Sequence, residues 1–296
     1  MDVQERSGLQ FVETAAGLLQ RFRRVHPTAG VFEAADLQWW WRMPRATDEV
    51  PQLLWVDEAG VPAAAAVLTA WRDGVSLVPV VDPADDTMVA EVIARGVAQA
   101  DELGLGPLRI AAAADDHVTR RAAAVVGLTA EAPEGADGWL DVKARPPVAP
   151  LADGCRLATR AQTRPAPHHF SHIGRPDEEE RLQQTSLYRD DLDLVVLGPD
   201  GEPAAYALFW NDPVTRTGMV EPVRTHEAHQ RRGLARHVLT AGIDRLAAAG
   251  AERVKIAWDP KGPAAALYTD VGFGPPRPCV DLSRPEAPSS SRPMAA

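Results

Sequence analysis

Gln230-Arg231-Arg232-Gly233-Leu234-Ala235 joins an apolar run, Met219 to Val223, to a helical run from Arg236 to Ala249. A strand that feeds a short basic, glycine-containing turn into a helix start forms a phosphate cradle. The first N–H groups of a helix lack internal partners, and the helix dipole adds partial positive charge at that end. Gly233 lets a diphosphate approach the backbone without a Cβ in the way. Arg231 and Arg232 add charge, and Ala235 keeps the helix start slim. A Q-x-x-G-x-A string alone is a weak signal, so its meaning rests on what surrounds it.

Working outward, the chain repeats itself. Apolar runs at Leu53 to Val56 and at Leu194 to Leu197 are each followed by a glycine turn and a second run, Gly60 to Ala66 and Gly201 to Ala207. Each pair reads as a hairpin. A third strand follows in each copy, Val75 to Val81 and Gly218 to Val223, with Pro79 matching Pro222. Next come amphipathic helices, Met88 to Leu103 and Leu234 to Ala249, closed by Gly104 and Gly250 as C-terminal caps. Short strands follow at Leu108 to Ala111 and Val254 to Ala257. A second helix closes each unit on Val126-Gly127-Leu128 and Val271-Gly272-Phe273. The order is strand, strand, strand, helix, strand, helix, strand, twice. It predicts two domains, 1–145 and 151–284, a Pro-rich linker at 146–150, and a disordered Ser/Pro/Ala tail at 285–296.

This order, with the turn at Gln230 to Ala235, resembles the GNAT superfamily of acyl-CoA-dependent N-acyltransferases. Two signatures carry the resemblance. One is the Q/R-x-x-G-x-G/A pyrophosphate loop. The other is A-x-x-L-Y-x-x-x-G-F, here Ala264 to Phe273, at the family's usual distance with a strand between. Glu221-Pro222-Val223-Arg224-Thr225-His226 also looks like a GNAT fourth strand and its exit. The resemblance implies an α+β fold of two tandem GNAT-like domains, each a mixed, mostly antiparallel central sheet flanked by helices. It implies acetyl-CoA, or another acyl-CoA, as co-substrate, a small-molecule primary amine as acceptor, direct transfer, and no metal. Gln230, Arg231, Arg232, Gly233, Leu234, Ala235 and Arg236 would hold the diphosphate. The backbone of Val223, Arg224 and Thr225 would pair with the pantetheine arm and donate to the thioester oxygen. Lys261, where family members often carry Asn, and Ala264 would lie beside that arm.

Acyl transfer needs the amine delivered neutral and the leaving thiolate protonated. Tyr268 stands where family members often place a general acid. A phenol's pKa lies above a thiol's, so it stays protonated until it donates. Its alternative role is packing, with a hydrogen bond to the sulfur. Glu221 interrupts an apolar strand, where a carboxylate is costly unless used or paired. It is the candidate base, directly or through water; its alternatives are an outward-facing residue or an ion pair. The first copy has Val78 and Ala123 at these two places, and Ala84-Asp85-Asp86-Thr87 in a shorter connection where the cradle would be. Two carboxylates repel a diphosphate. That copy is expected to bind no CoA, and to pack on the active half or wall its cleft.

A formal charge of −10 disfavours nucleic acid as partner and favours cationic ligands. No run is long enough to span a membrane, the opening MDVQERSGLQ lacks a secretory signal pattern, and Cys155 and Cys279 fit no metal spacing. A cytoplasmic monomer or homodimer is expected. Trp39-Trp40-Trp41 reads as core and inter-domain contact. His168-His169-Phe170-Ser171-His172 reads as a loop rather than a metal centre. Asp177-Glu178-Glu179-Glu180 reads as a helix start, where acids suit the dipole; family substrate clefts are often walled by this region, and the alternative is that some of these acids meet a cationic substrate. The remaining alternatives are another acyl donor or acceptor (a protein amine, a hydroxyl, or an acceptor like that of mycothiol synthase, also a tandem GNAT) and a non-catalytic CoA-binding sensor.

Overall fold

The computed structural model describes residues 1–133, 135–169 and 177–285. The first half runs β1 (Asp2–Arg6), α1 (Gly8–Val25), α2 (Ala34–Trp41), β2 (Gln52–Val56), β3 (Pro62–Trp71), β4 (Gly74–Val80), α3 (Asp86–Glu102), β5 (Leu108–Ala113), α4 (His117–Val125), β6 (Thr129–Ala130) and β7 (Gly135–Asp141). The second runs β8 (Arg156–Thr159), α5 (Arg160–Thr163), α6 (Glu178–Gln183), β9 (Asp193–Leu197), β10 (Pro203–Asp212), β11 (Thr217–Thr225), α7 (Leu234–Ala248), β12 (Arg253–Trp258), α8 (Ala265–Val271) and β13 (Arg277–Ser283). Each expected hairpin, crossover helix and short strand is present. The expected disordered tail lies, apart from Pro285, outside the described residues.

All strands share one sheet, in the order β1-β2-β3-β4-β5-β13-β7-β12-β11-β10-β9-β8, with β6 beside β13. Within each half the pairs are antiparallel except β4 with β5 and β11 with β12, which are parallel. Each helix between those parallel strands is the crossover that parallel pairing requires. The last strand of each half is exchanged. β7 pairs with β12 of the second half, and β13 pairs with β5 of the first. The two exchanged strands meet at the centre, Arg277 opposite Asp137 and Cys279 opposite Gly135. The Arg277 guanidinium seals that junction on Asp137 at 2.6 and 2.9 Å.

Three clusters make up most of the core. One lies between α3 and the first half's sheet, and one between α7 and the second half's sheet. The third is shared: Phe11, Leu37 and Trp39 of the first half pack with Leu187, Trp210 and Met219 of the second. A Cβ on Gly242 would sit 2.0 Å from the Phe209 ring, so only glycine lets α7 lie this close to β10. Gly96 in α3 meets Leu77 in the same way. No helix among the described residues is long and apolar enough to cross a membrane.

Candidate active site

β11 and β12 pair from Thr217 opposite Arg253 only as far as Val220 opposite Ile256. Beyond Val220 the strands part. β11 continues to Thr225 against β10, after a register shift opposite Glu221 and Pro222. The N–H of His226 bonds the Ala204 carbonyl at 2.9 Å. Backbone groups alternate along a strand, so the N–H of Arg224 also turns toward β10. Those of Val223 and Thr225 turn the other way, into the gap. Pro222 has no N–H to offer either side.

The gap opens into a cleft of about 1180 Å³. At one end, a 3-10 turn, Glu227–His229, leads through Gln230 to Gly233, the N-cap of α7. Gly233 adopts φ +77°, and nothing lies within 4 Å of where its Cβ would be. It supplies no side-chain cap, so the first N–H groups of α7 stay open toward the cleft. Arg231 also takes a left-handed φ of 63°. Gln230, Arg231, Gly233, Leu234, Ala235 and Arg236 line the cleft, as do Val223 to Thr225, Ala264 and Tyr268. Arg232 and Lys261 do not. The Arg232 side chain turns back to His229 at 3.1 Å, and Lys261 is exposed, its N–H held by the Asp259 carboxylate at 2.8 Å.

At the other end, Glu221 from β11 and Tyr268 from α8 come within electrostatic range. Burial raises the Glu221 carboxyl to about 7; the charge of Asp36 adds to the rise, while that of Arg42 opposes it. Burial, with the charge of Glu221 behind it, pushes the Tyr268 phenol up to about 12. The ring is fixed by Trp258 and Phe273, with centroids 5.7 and 6.3 Å away. Asp36 and Arg42 belong to α2 and its C-cap, so the first half reaches Glu221. The Trp triplet could not show it, because the contact joins positions far apart in the chain. Trp40 packs on Phe32 and Trp71, and Trp41 donates to Gln184 at 3.2 Å.

Two of the acids that begin α6 are paired rather than open to a substrate. Glu178 lies 3.4 Å from Arg42, and Glu179 takes two bonds from Arg160 at 2.7 and 3.0 Å. His168 and His169 are buried beside Asp193. The Tyr188 hydroxyl and His168 Nε2 donate to the same carboxylate oxygen at 2.8 and 2.7 Å. Donor atoms of the three residues lie within 4.8 Å of one another. Two ligands about 2.1 Å from one tetrahedral ion sit roughly 3.4 Å apart, so the 2.7 Å contact is that of a hydrogen bond. His169 lines the cleft and packs tilted against Tyr206, with ring centroids 4.8 Å apart. Phe170, Ser171 and His172 lie outside the described residues.

The matching place in the first half is closed. The gap beside Val78 holds only about 70 Å³, walled by Arg23, Val31 and Phe32. At the start of α3, the Asp85 carboxylate accepts the Met88 N–H at 2.9 Å and so occupies the helix's own anion site.

Residues 158–273 match the model of the acetyltransferase (GNAT) family. No curated protein sequence matches the chain. Among solved structures, a tandem GNAT protein from the clavulanic acid biosynthesis pathway superposes with a TM-score of 0.64 at 13% identity, over 97% of this chain and 99% of that one. A GCN5-related N-acetyltransferase from Sphaerobacter thermophilus gives 0.61 at 16% identity, over 96% of each chain. A GNAT-family acetyltransferase from Colwellia psychrerythraea gives 0.59 at 11% identity, over 96% and 100%. Likeness at such identities is likeness of fold.

Proposed function

Because the chain belongs, through residues 158–273, to the acetyltransferase (GNAT) family, we propose that its second half transfers an acetyl group from acetyl-CoA to the primary amine of a small molecule. The observation that carries this reading is a cleft that runs from the open N-terminus of α7 to Tyr268, with Glu221 in electrostatic reach of that phenol. The amides of Leu234 to Arg236, with Arg231, suit the diphosphate. The N–H groups of Val223 and Thr225 suit the pantetheine arm and the thioester oxygen, where charge develops. Glu221 takes a proton from the ammonium, and the neutral amine attacks the thioester carbon. As the C–S bond breaks, Tyr268 donates its proton to the sulfur; the attacking nitrogen gives up its second proton to water, and Tyr268 is reprotonated through solvent. A base that titrates near 7 suits this task at neutral pH. The first half holds no acyl-CoA. Cys155 and Cys279 are free thiols, in keeping with a reducing, cytoplasmic setting.

The test is full-length protein with acetyl-CoA and a panel of small primary amines, following free thiol. At least one amine should turn over, and Glu221→Gln should reduce that turnover by about 100-fold. Turnover confined to alcohols or to longer acyl-CoAs would reassign the acceptor or the donor. Tight acetyl-CoA binding without turnover on any acceptor would point to a sensor.

A further inference from the structure

β11 carries a second charged residue on the face of Glu221. Met219 is opposite Trp210 and Arg224 opposite Tyr206, and Met219, Trp210 and Tyr206 all pack with the core cluster shared by the two halves. Between these pairs β11 gains one residue on β10, since Val220 is opposite Phe209 and Val223 opposite Ala207. Val223 packs with the α7 cluster on the other face. Side chains alternate along a strand, so Glu221, two residues after Met219, and Arg224, one after Val223, share a face. They stand two rungs apart, about 7 Å along the strand. Directly opposite residues point the same way, which sets the Arg224 side chain beside Tyr206. Both line the cleft.

The rest of that wall is fixed and uncharged. His169 packs against Tyr206 and stacks on His168, with ring centroids 4.8 and 4.1 Å apart. Asp193 holds His168 Nε2 at 2.7 Å and His169 Nε2 at 3.4 Å. Burial lowers the His169 imidazole to about 4, so it is neutral at neutral pH. The cations around α6 are neutralised: Arg42 by Glu178, Arg160 by Glu179 and Arg181 by Asp48. Arg224 enters no such pair among the described residues. The cleft's acids belong to turns near the cradle: Asp200 accepts the Glu202 N–H at 3.1 Å, and Glu227 opens the 3-10 turn before α7. The net charge of −10 draws cations from a distance, but screening leaves the bound acceptor to the groups it touches.

We propose that Arg224, beside Tyr206, is an anion subsite for the acceptor: the amine that Glu221 deprotonates belongs to an amino acid, whose carboxylate takes the Arg224 guanidinium. The planar fork meets a carboxylate through two parallel bonds, and a tyrosine hydroxyl in the same wall adds a donor. The proposal rests on the acyl transfer proposed above. The N–C bond forms, the C–S bond breaks, CoA leaves as the thiol and one proton goes to water; the carboxylate is unchanged.

Free-thiol release with acetyl-CoA compares α-, β- and γ-amino acids with their neutral amides, with diamines and with aminoalkyl phosphates. The best amino acid should exceed its own amide in kcat/KM by at least about ten-fold. In Arg224→Gln that ratio should fall to about one, through KM for the amino acid and not KM for acetyl-CoA. Arg224→Glu should prefer a diamine to the amino acid. Arg224 is exposed, so both variants should fold, as melts will check. Calorimetric titration of the native chain with the same amino acids, CoA present, gives a readout without turnover; their binding should be lost in Arg224→Gln. The proposal is overturned if the native chain prefers amides, diamines or aminoalkyl phosphates to every amino acid, or if amino acids neither bind nor turn over. It is also overturned if Arg224→Gln raises only KM for acetyl-CoA, which would place the guanidinium on the cofactor. If amino acids bind through Arg224 and none is acetylated, the acyl-transfer reading fails and the subsite stands.

Discussion

Glu221 holds its proton in the folded chain up to about pH 7, whereas an ordinary glutamate releases it near 4.5. The stability this gives is complete below 4.5 and is lost as pH rises through 7. Glu221→Gln should therefore raise stability at pH 8 by about 1–3 kcal/mol even as it lowers turnover, and thermal melts at pH 5 and 8 would show the gain. A purely structural ion pair would give the opposite sign. Tyr268 titrates at about 12, so it stays protonated through the working range and puts no limb on the pH profile below 10. Tyr268→Phe should lower kcat by about 10–100-fold and leave acetyl-CoA affinity unchanged; unaltered kcat would leave the ring a packing role only. Both residues were legible in the sequence, because a carboxylate in an apolar strand and a tyrosine in a fixed motif are local features. Their neighbours were not. Asp36 and Arg42 reach Glu221 by tertiary packing, which leaves no trace in the spacing of residues.

The start of α7 shows the same limit at the scale of an element. The Gly-containing turn, its strand and its helix were all readable, because turn chemistry and helical period are short-range. The side-chain directions were not, and Arg232 leaves the cradle for His229. Gly233→Glu would place a carboxylate in the open space before the α7 amides and strain a left-handed backbone. Titration calorimetry should find one acetyl-CoA site per chain in the native protein and none in this variant. Two sites, or retained affinity, would mean that the cradle is misassigned or that α3 also binds, despite Asp85. The edge strands β1 and β8 escaped the sequence reading for a physical reason. β1, Asp2–Arg6, is mostly polar, as edge strands that avoid further pairing commonly are.

At the scale of the molecule, the repeat was legible but the exchange of β7 and β13 was not. A strand's period-two pattern looks the same whichever neighbour it joins. A chain ending at Pro276 loses β13, which bares the edges of β5 and β7 and removes Arg277 from Asp137. Such a chain should aggregate and lose its cooperative melting transition, checked by light scattering and calorimetry. Retained cooperative melting would show that the sheet tolerates open inner edges. The exchange also bears on biosynthesis. β13 is made after every other described strand, yet it pairs with β5 of the amino-terminal half. The amino-terminal sheet thus stays open-edged on the ribosome until β13 has emerged, and vectorial folding, one half and then the other, is barred by topology.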